Sequence, residues 1–371
     1  MSTSRRQFLV SSVTAAAAAA QTAAPEIRTA MVGVGVRGTS LLRQTLALAN
    51  VRVEAICDTD AGARDRAQGL AKRDNPRSFT DYRQVLDLGN IDAVYIATPC
   101  DLHAEMAAAA LSAGKYVYCE KPLGITPEQV DLVLKAAAKS SAFLQVGQQL
   151  RYRTAFREVI RRIHEDRVLG ETFVIKAQRH GTPSPGPRNR PAWYEDVRRS
   201  GDLIVENSVH NIDVCNWVAN SRPASAYGHG KRYFPKPIPA GTLMMDGYSV
   251  EYIYENGVHL DYSQLGMHPR GLKKLPNGQW YLVFGETGTV DVAEGMFYPM
   301  QESGEPRDLL TPSTRISDDP AVPEFIACIR EKRKPFGDVK VGAMAALTAI
   351  LGREAIYKGR SVSWNELGVA L

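Results

Sequence analysis

From Pro25 onward, short apolar and β-branched runs alternate with stretches in which apolar side chains recur at helical spacing. The runs at 27–34, 51–57, 91–97, 116–119 and 143–146 read as strands. Helical spacing covers the Leu/Ala stretch up to Ala49, then 101–113 and 126–139. This alternation predicts a parallel sheet with right-handed crossovers. The pattern then changes. Residues 172–178 alternate, and 248–254 and 258–264 flank Glu255-Asn256-Gly257, a strong hairpin signal. Strands at 280–284 and 289–292 surround another tight glycine turn, and 323–330 and 341–358 are helical.

A length of 371 residues allows two or three domains. With 44% hydrophobic and 23% charged residues, the composition is that of a globular chain, which excludes disorder as its main state. The net charge of +5 is too weak for nucleic acid, and no basic run carries interleaved aromatics. Five scattered cysteines, without a CxxC, give neither a disulfide framework nor a metal-ligand spacing and read as buried apolar residues. No compact His/Asp/Glu ligand set such as HExxH is present, so no metal is called for.

Ser4-Arg5-Arg6-Gln7-Phe8-Leu9 matches a twin-arginine export signal, followed by an Ala-rich stretch and a small-x-small cleavage site at Ala18-Ala19-Ala20. Residues 1–24 are expected to be this signal peptide; 8–24 are too short and polar to span a membrane comfortably. The mature protein is then expected in the periplasm, away from membranes, exported in a folded state that could already hold a cofactor.

The first predicted strand runs into Gly33-Val34-Gly35-Val36-Arg37-Gly38, which opens a helix, and Asp58 follows 20 residues after the third glycine. Strand, GxGxxG, helix and acid together indicate a dinucleotide site. Gly33 permits the tight turn, Gly35 lets the backbone approach a pyrophosphate, and Gly38 allows helix–strand packing. The pyrophosphate would sit on the helix N-terminus, at Val36 and Arg37. Asp58 would accept hydrogen bonds from ribose hydroxyls and repel a 2′-phosphate, favouring NAD, while Arg37 and Arg64 keep NADP possible.

Ala97-Thr98-Pro99-Cys100-Asp101-Leu102-His103 and Gly114-Lys115-Tyr116-Val117-Tyr118-Cys119-Glu120-Lys121-Pro122-Leu123 carry TPxxxH and EKP, and with the glycine motif they resemble the Gfo/Idh/MocA oxidoreductases. The resemblance runs from about residue 26 to the C-terminus and is sharpest before 150. It implies an N-terminal Rossmann domain, a doubly wound parallel sheet over 25–148, followed by an α+β domain over 149–371 with a large, mostly antiparallel open sheet. Homodimers or homotetramers built on these sheets are also implied. Thr98, Pro99, His103 and Glu120 would line the cofactor cleft. Lys121 would hold the oxygen of the reacting carbinol, with a nearby nicotinamide cation lowering its pKa.

The second element is Ser200-Gly201-Asp202-Leu203-Ile204-Val205-Glu206-Asn207-Ser208-Val209-His210-Asn211-Ile212-Asp213. His210 matches the family histidine that takes the hydroxyl proton as hydride leaves, a role suited to its unperturbed pKa of about 6.5. Glu206 stands where the family generally has Asp, reaching about 1.5 Å further. It is open whether it orients His210, meets substrate or does neither. Glu206, His210, Asp213 and Trp217 would share one helical face. Asn207 could bind a sugar hydroxyl. Arg151 and Tyr152 match a position facing the substrate cleft, and Trp193, beside the Pro/Gly/Arg loop at 181–191, could pack on a sugar face. The expected function is NAD-dependent oxidation of a secondary alcohol in a sugar or cyclitol, with a retained cofactor. NAD-dependent glycoside cleavage through transient oxidation and elimination, or a non-catalytic NAD/sugar-binding sensor, remain open.

Overall fold

The computed structural model describes residues 25–182, 191–234, 244–269, 271–272, 274–275, 277–316 and 318–371. The expected export signal at 1–24 and most of the 181–191 loop therefore lie outside the described residues.

Six strands, β1 (Ile27–Val32), β2 (Val51–Cys57), β3 (Arg77–Phe79), β4 (Ala93–Ile96), β5 (Tyr116–Cys119) and β6 (Leu144–Val146), form a parallel sheet in the order 3-2-1-4-5-6. The crossing from β3 to β4 passes over the outer strands, so the C-terminal ends of β1 and β4 face a crevice, the usual ligand site of such sheets. The central strands are buried on both faces, which is why they read as apolar runs. β3 is short and its side chains are exposed or half-exposed, so it left no hydrophobic signal.

The second sheet has nine strands: β7 (Thr172–His180), β8 (Pro223–Lys231), β9 (Gly247–Tyr254), β10 (His259–Leu265), β11 (Gly278–Gly285), β12 (Gly288–Asp291), β13 (Met296–Pro299), β14 (Arg307–Asp308) and β15 (Val362–Ser363). Their order is 14-13-12-11-7-10-9-8-15, and only β7–β10 is parallel. The expected hairpin joins β9 and β10, with Gly257 at φ 84° in its turn. Alternate residues of β9 are buried under the helices Val209–Ala219 and Val339–Lys358, while the intervening ones, such as Glu251 and Ile253, are exposed.

The segment 149–371 is not one spatial unit. After β14 the chain returns to the Rossmann sheet, where the helix Ala321–Glu331 inserts Phe325 among Tyr95, Tyr118 and Phe143 at centroid distances of 5.3, 5.7 and 5.9 Å. Gln145 Nε2 donates to the Ala321 carbonyl at 2.8 Å. The helix Val339–Lys358 then lies in both domains. Gly342 lets it close on Val146, Gly352 lets it close on the Tyr252 ring, and Arg353 donates to the carbonyls of Ile125 and Gly201 at 2.9 and 3.2 Å. All five cysteines are buried and free, and among the described residues no helix is long and apolar enough to cross a membrane.

Because Phe325 is fully buried between two tyrosines and a phenylalanine, Phe325→Ala is expected to lower unfolding free energy by about 3–5 kcal/mol in urea titrations. Leu132→Ala, on an exposed helical position, should stay within about 0.5 kcal/mol.

Candidate functional site

Gly33, at φ 83°, ends β1, and a Cβ there would lie 2.6 Å from the Ala97 carbonyl and 2.8 Å from the Thr98 nitrogen. The β1 loop and the Thr98-Pro99 segment after β4 therefore touch backbone to backbone. A Cβ on Gly38 would overlap the Gly33 carbonyl. Gly35 differs: the space its Cβ would fill is open. It precedes the helix Val36–Leu46, which has no side-chain cap and no acid in its first turn, whereas Asp60 and Thr126 cap the helices that follow them. Val36, the first residue of that helix, is 96% exposed. Uncapped N–H groups, open space before them and an uncovered apolar side chain fit a dinucleotide pyrophosphate. At the end of β2, Asp58 Oδ2 accepts from Val34 N at 2.8 Å and Oδ1 from Asp60 N at 3.0 Å, which fixes the carboxylate beside the loop. Arg37 turns the other way and pairs with Glu120 at 2.6 Å. Arg64 spends a guanidinium bond on the Asp58 carbonyl at 2.6 Å.

Beyond β5, Lys121 leaves the Rossmann domain and ends on the second one. Its Nζ donates to the Glu206 carbonyl at 2.5 Å and to Glu206 Oε1 at 2.8 Å. Burial by itself pushes the Lys121 ammonium down, but the Glu206 carboxylate and the hydrogen bond to it outweigh this, and the pKa is raised. Glu206 owes its place to Asp202, which sits at φ 75° and ψ 167°, a region that residues with a Cβ rarely adopt. The Asp202 carboxylate accepts from Leu203 N at 2.6 Å, Met245 N at 2.8 Å and the Tyr357 hydroxyl at 2.6 Å, so three elements hold it there.

His210 is the second residue of the helix Val209–Ala219 and lines an open cavity of about 430 Å³ with Arg153, Arg179, Phe156, Gln279 and Tyr281. Its Nδ1 is buried without a hydrogen-bond partner. Burial first, then the positive charges of Lys121, Arg179, Arg37 and Arg153, drive its pKa well below the ordinary histidine value. The imidazole is thus neutral and able to accept a proton. Among the described residues no group of three or more His, Cys, Asp or Glu is placed to hold a metal.

Residues 27–148 match the family described as "Oxidoreductase family, NAD-binding Rossmann fold", and 157–291 match the "GFO/IDH/MocA C-terminal domain". The chain belongs to the Gfo/Idh/MocA oxidoreductase family. Inositol 2-dehydrogenase of Salmonella typhimurium is 28% identical over 238 residues, 63% of this chain and 66% of that protein, so the chain spans just under two thirds of the relative's length. 1,5-Anhydro-D-fructose reductase of Ensifer adhaerens is 27% identical over 227 residues, 59% of this chain and 67% of that protein. Levoglucosan dehydrogenase in complex with NADH and levoglucosan superposes with a TM-score of 0.76 at 19% identity, over 91% of this chain and 99% of that one; at that identity the likeness is one of fold. The cofactor of the Rossmann domain is NAD.

Within this Gfo/Idh/MocA scaffold several site residues take other positions than the sequence suggested. The helical face of Glu206, His210, Asp213 and Trp217 is broken: Leu203–Glu206 is a separate single turn, and a new helix starts at Val209. Glu206 consequently reaches Lys121, not His210. Asp213 pairs with Arg151 at 2.7 Å in a buried bridge, and the Arg151 guanidinium lies 5.0 Å from the Trp217 ring centre. Arg151 therefore clamps 149–152 to the helix rather than facing substrate. Tyr152 is fully buried and its hydroxyl accepts from Gly337 N at 3.0 Å, a bond that ties down the returning C-terminal segment. His103 is also buried; its Nδ1 and Nε2 meet the carbonyls of Pro122 and Thr98 at 2.8 and 2.9 Å, so it links the two motif loops without lining the cleft. Trp193 packs edge-on against Tyr194 at 5.8 Å, on the core side. Asn207 Oδ1 accepts from Gln264 Nε2 at 2.9 Å, inside a network in which Ser208 joins Gln264, Tyr248 and Tyr262.

Arg179, Gln279 and Arg153 were missed. A signal existed for the first two. Along β7 and β11, Arg179 and Gln279 share the side of Ile175, Ala177, Tyr281 and Val283, where apolar residues belong. A polar residue on the core side at a strand end marks a cavity.

Glu206→Gln removes the charge that raises Lys121 and leaves burial to lower it. The Lys121 pKa is expected to fall on substitution, as read by NMR titration of the lysine Nζ. In the parent chain the pair stabilises the fold fully below the ordinary lysine pKa of about 10.4, and that contribution is lost as pH rises through the higher folded value. The alkaline unfolding midpoint should therefore move to lower pH in the variant.

Proposed function

We propose that this protein is an NAD-dependent oxidoreductase that removes hydride from a secondary alcohol of a sugar or cyclitol. The observation that carries the reading is a charged Lys121 close enough to a neutral His210 to depress its pKa, with the His210 Nδ1 left without a hydrogen-bond partner at an open cavity. Its relatives inositol 2-dehydrogenase and 1,5-anhydro-D-fructose reductase point to the same substrate class. Gly33, Gly35, Val36 and Gly38 would hold the pyrophosphate, and Asp58 the adenosine ribose. When bound, NAD supplies the hydride acceptor. Lys121 donates hydrogen bonds to the substrate oxygen and stabilises the negative charge that develops there. His210 takes the hydroxyl proton, and the cluster of cations around it favours its return to the neutral form.

The twin-arginine sequence supports export to the periplasm. With no recycling pool of free NAD expected there, the cofactor would stay bound through the cycle. The helix-free face of the nine-stranded sheet, with Ile253, Tyr227 and Tyr298 exposed, supports a homo-oligomer formed sheet to sheet.

Protein purified from the periplasm and denatured should release about one NAD per chain; release of none would end the retained-cofactor reading. Lys121→Ala and His210→Ala should each lower turnover of an inositol or sugar substrate by roughly 10²–10⁴-fold with NAD content intact. The acid limb of kcat/KM should lie below pH 6.5, since the lowered pKa keeps His210 neutral where an ordinary histidine is charged. Between those two pKa values the unfolded chain binds a proton that the folded chain does not, so stability should fall as pH drops below about 6.5.

A further inference from the structure

Arg153 and Arg179 line the His210 cavity, and no Asp or Glu lines it with them. Three other arginines near the crevice are paired with carboxylates: Arg37 with Glu120 at 2.6 Å, Arg151 with Asp213 at 2.7 Å, Arg157 with Glu324 at 2.9 Å. Arg179 reaches only neutral groups, the Asn207 carbonyl and Asn211 Oδ1, both at 3.4 Å, the outer limit of a hydrogen bond. The Arg153 side chain has no hydrogen bond or ion pair among the described residues. Every Asp and Glu of the chain falls among the described residues, so no other stretch can bring a counter-charge.

With Arg153 exposed and Arg179 half-buried at an open cavity, both guanidinium groups are accessible to an anion that a ligand would bring. Their proximity to the reacting centre is evident from their effect on His210, whose proton affinity both depress. The anion is not the cofactor's pyrophosphate, because that group belongs to the N-terminus of Val36–Leu46, and no residue of the glycine motif lines this cavity. Guanidinium forks match carboxylate and phosphate oxygens bidentately.

We propose that the substrate carries an anionic substituent, a carboxylate or phosphate on the sugar or cyclitol, which Arg153 and Arg179 hold while Lys121 and His210 act on a ring hydroxyl. The proposal rests on the dehydrogenase reading above and narrows it to acidic substrates.

The test titrates NAD-loaded protein calorimetrically, at low and high salt, with D-glucuronate, D-galacturonate, D-glucose 6-phosphate, D-glucose and myo-inositol. At least one acidic ligand should bind roughly tenfold or more tightly than its neutral counterpart, and the margin should shrink with salt. The uronate and phosphate arms identify the anion. Arg179→Gln and Arg153→Gln should each reduce the acid-over-neutral preference by roughly tenfold, with NAD content showing that the variants fold. The parent protein's preference decides the matter even if they do not. Equal or tighter binding of the neutral sugars by NAD-loaded protein overturns the anionic substrate and leaves the dehydrogenase reading standing. A folded chain that binds no NAD overturns both.

Discussion

The Lys121 ammonium lies between two oxygens of one residue, the carbonyl and the carboxylate of Glu206, and these bonds cross from the Rossmann domain to the second domain. With the two side chains 14% and 10% exposed, neither charge can be left alone without a large desolvation cost. The end of β5 and the turn Leu203–Glu206 must therefore keep their mutual position, and His210, four residues further on, is brought to the same crevice. Glu206 is long enough to reach Lys121 while its main chain caps the same ammonium. The longer carboxylate thus serves the lysine, and His210 keeps no acidic partner to raise its proton affinity. Acid–base chemistry gains from that separation: one group stays charged and the other neutral at the same pH.

Around this pair the fold removes every other freedom it can. Asp202 holds a backbone conformation that its Cβ disfavours because three hydrogen bonds from separate elements converge on its carboxylate. Arg151 and Asp213 close the joint between the domains, and His103 binds the two motif loops through their carbonyls. The returning helices Ala321–Glu331 and Val339–Lys358 then pack across both domains. These contacts fix the two domains against each other, while the glycine loop keeps its helix N-terminus uncapped and the His210 cavity stays open.

Much of this was legible in the chain. Buried parallel strands must be apolar on both faces, so β1, β4 and β5 announced themselves, and the Asn256-Gly257 turn signalled a hairpin. The glycine positions also followed from geometry, since Gly33 needs a positive φ and Gly38 has no room for a Cβ. β3 escaped because an exposed three-residue strand buries too little to need a pattern. Arg151 and Tyr152 were expected at the substrate cleft and His103 at the cofactor, but their side chains bond to the protein itself.

What the amino-acid order determined alone is local: periodicity, turn residues, the glycine loop with its acid, and the lysine and histidine proposed for hydride chemistry. What tertiary structure decided is pairing. Glu206 could have met His210, substrate or nothing, and a break in the helix at Asn207 turned it to Lys121. Arg179 looked like any strand-end charge until its side of the sheet and its lack of a carboxylate were known. Spacing along a chain fixes which face a residue takes within one element. The partner it meets across a crevice depends on contacts between residues tens of positions apart, and the folded core alone sets those.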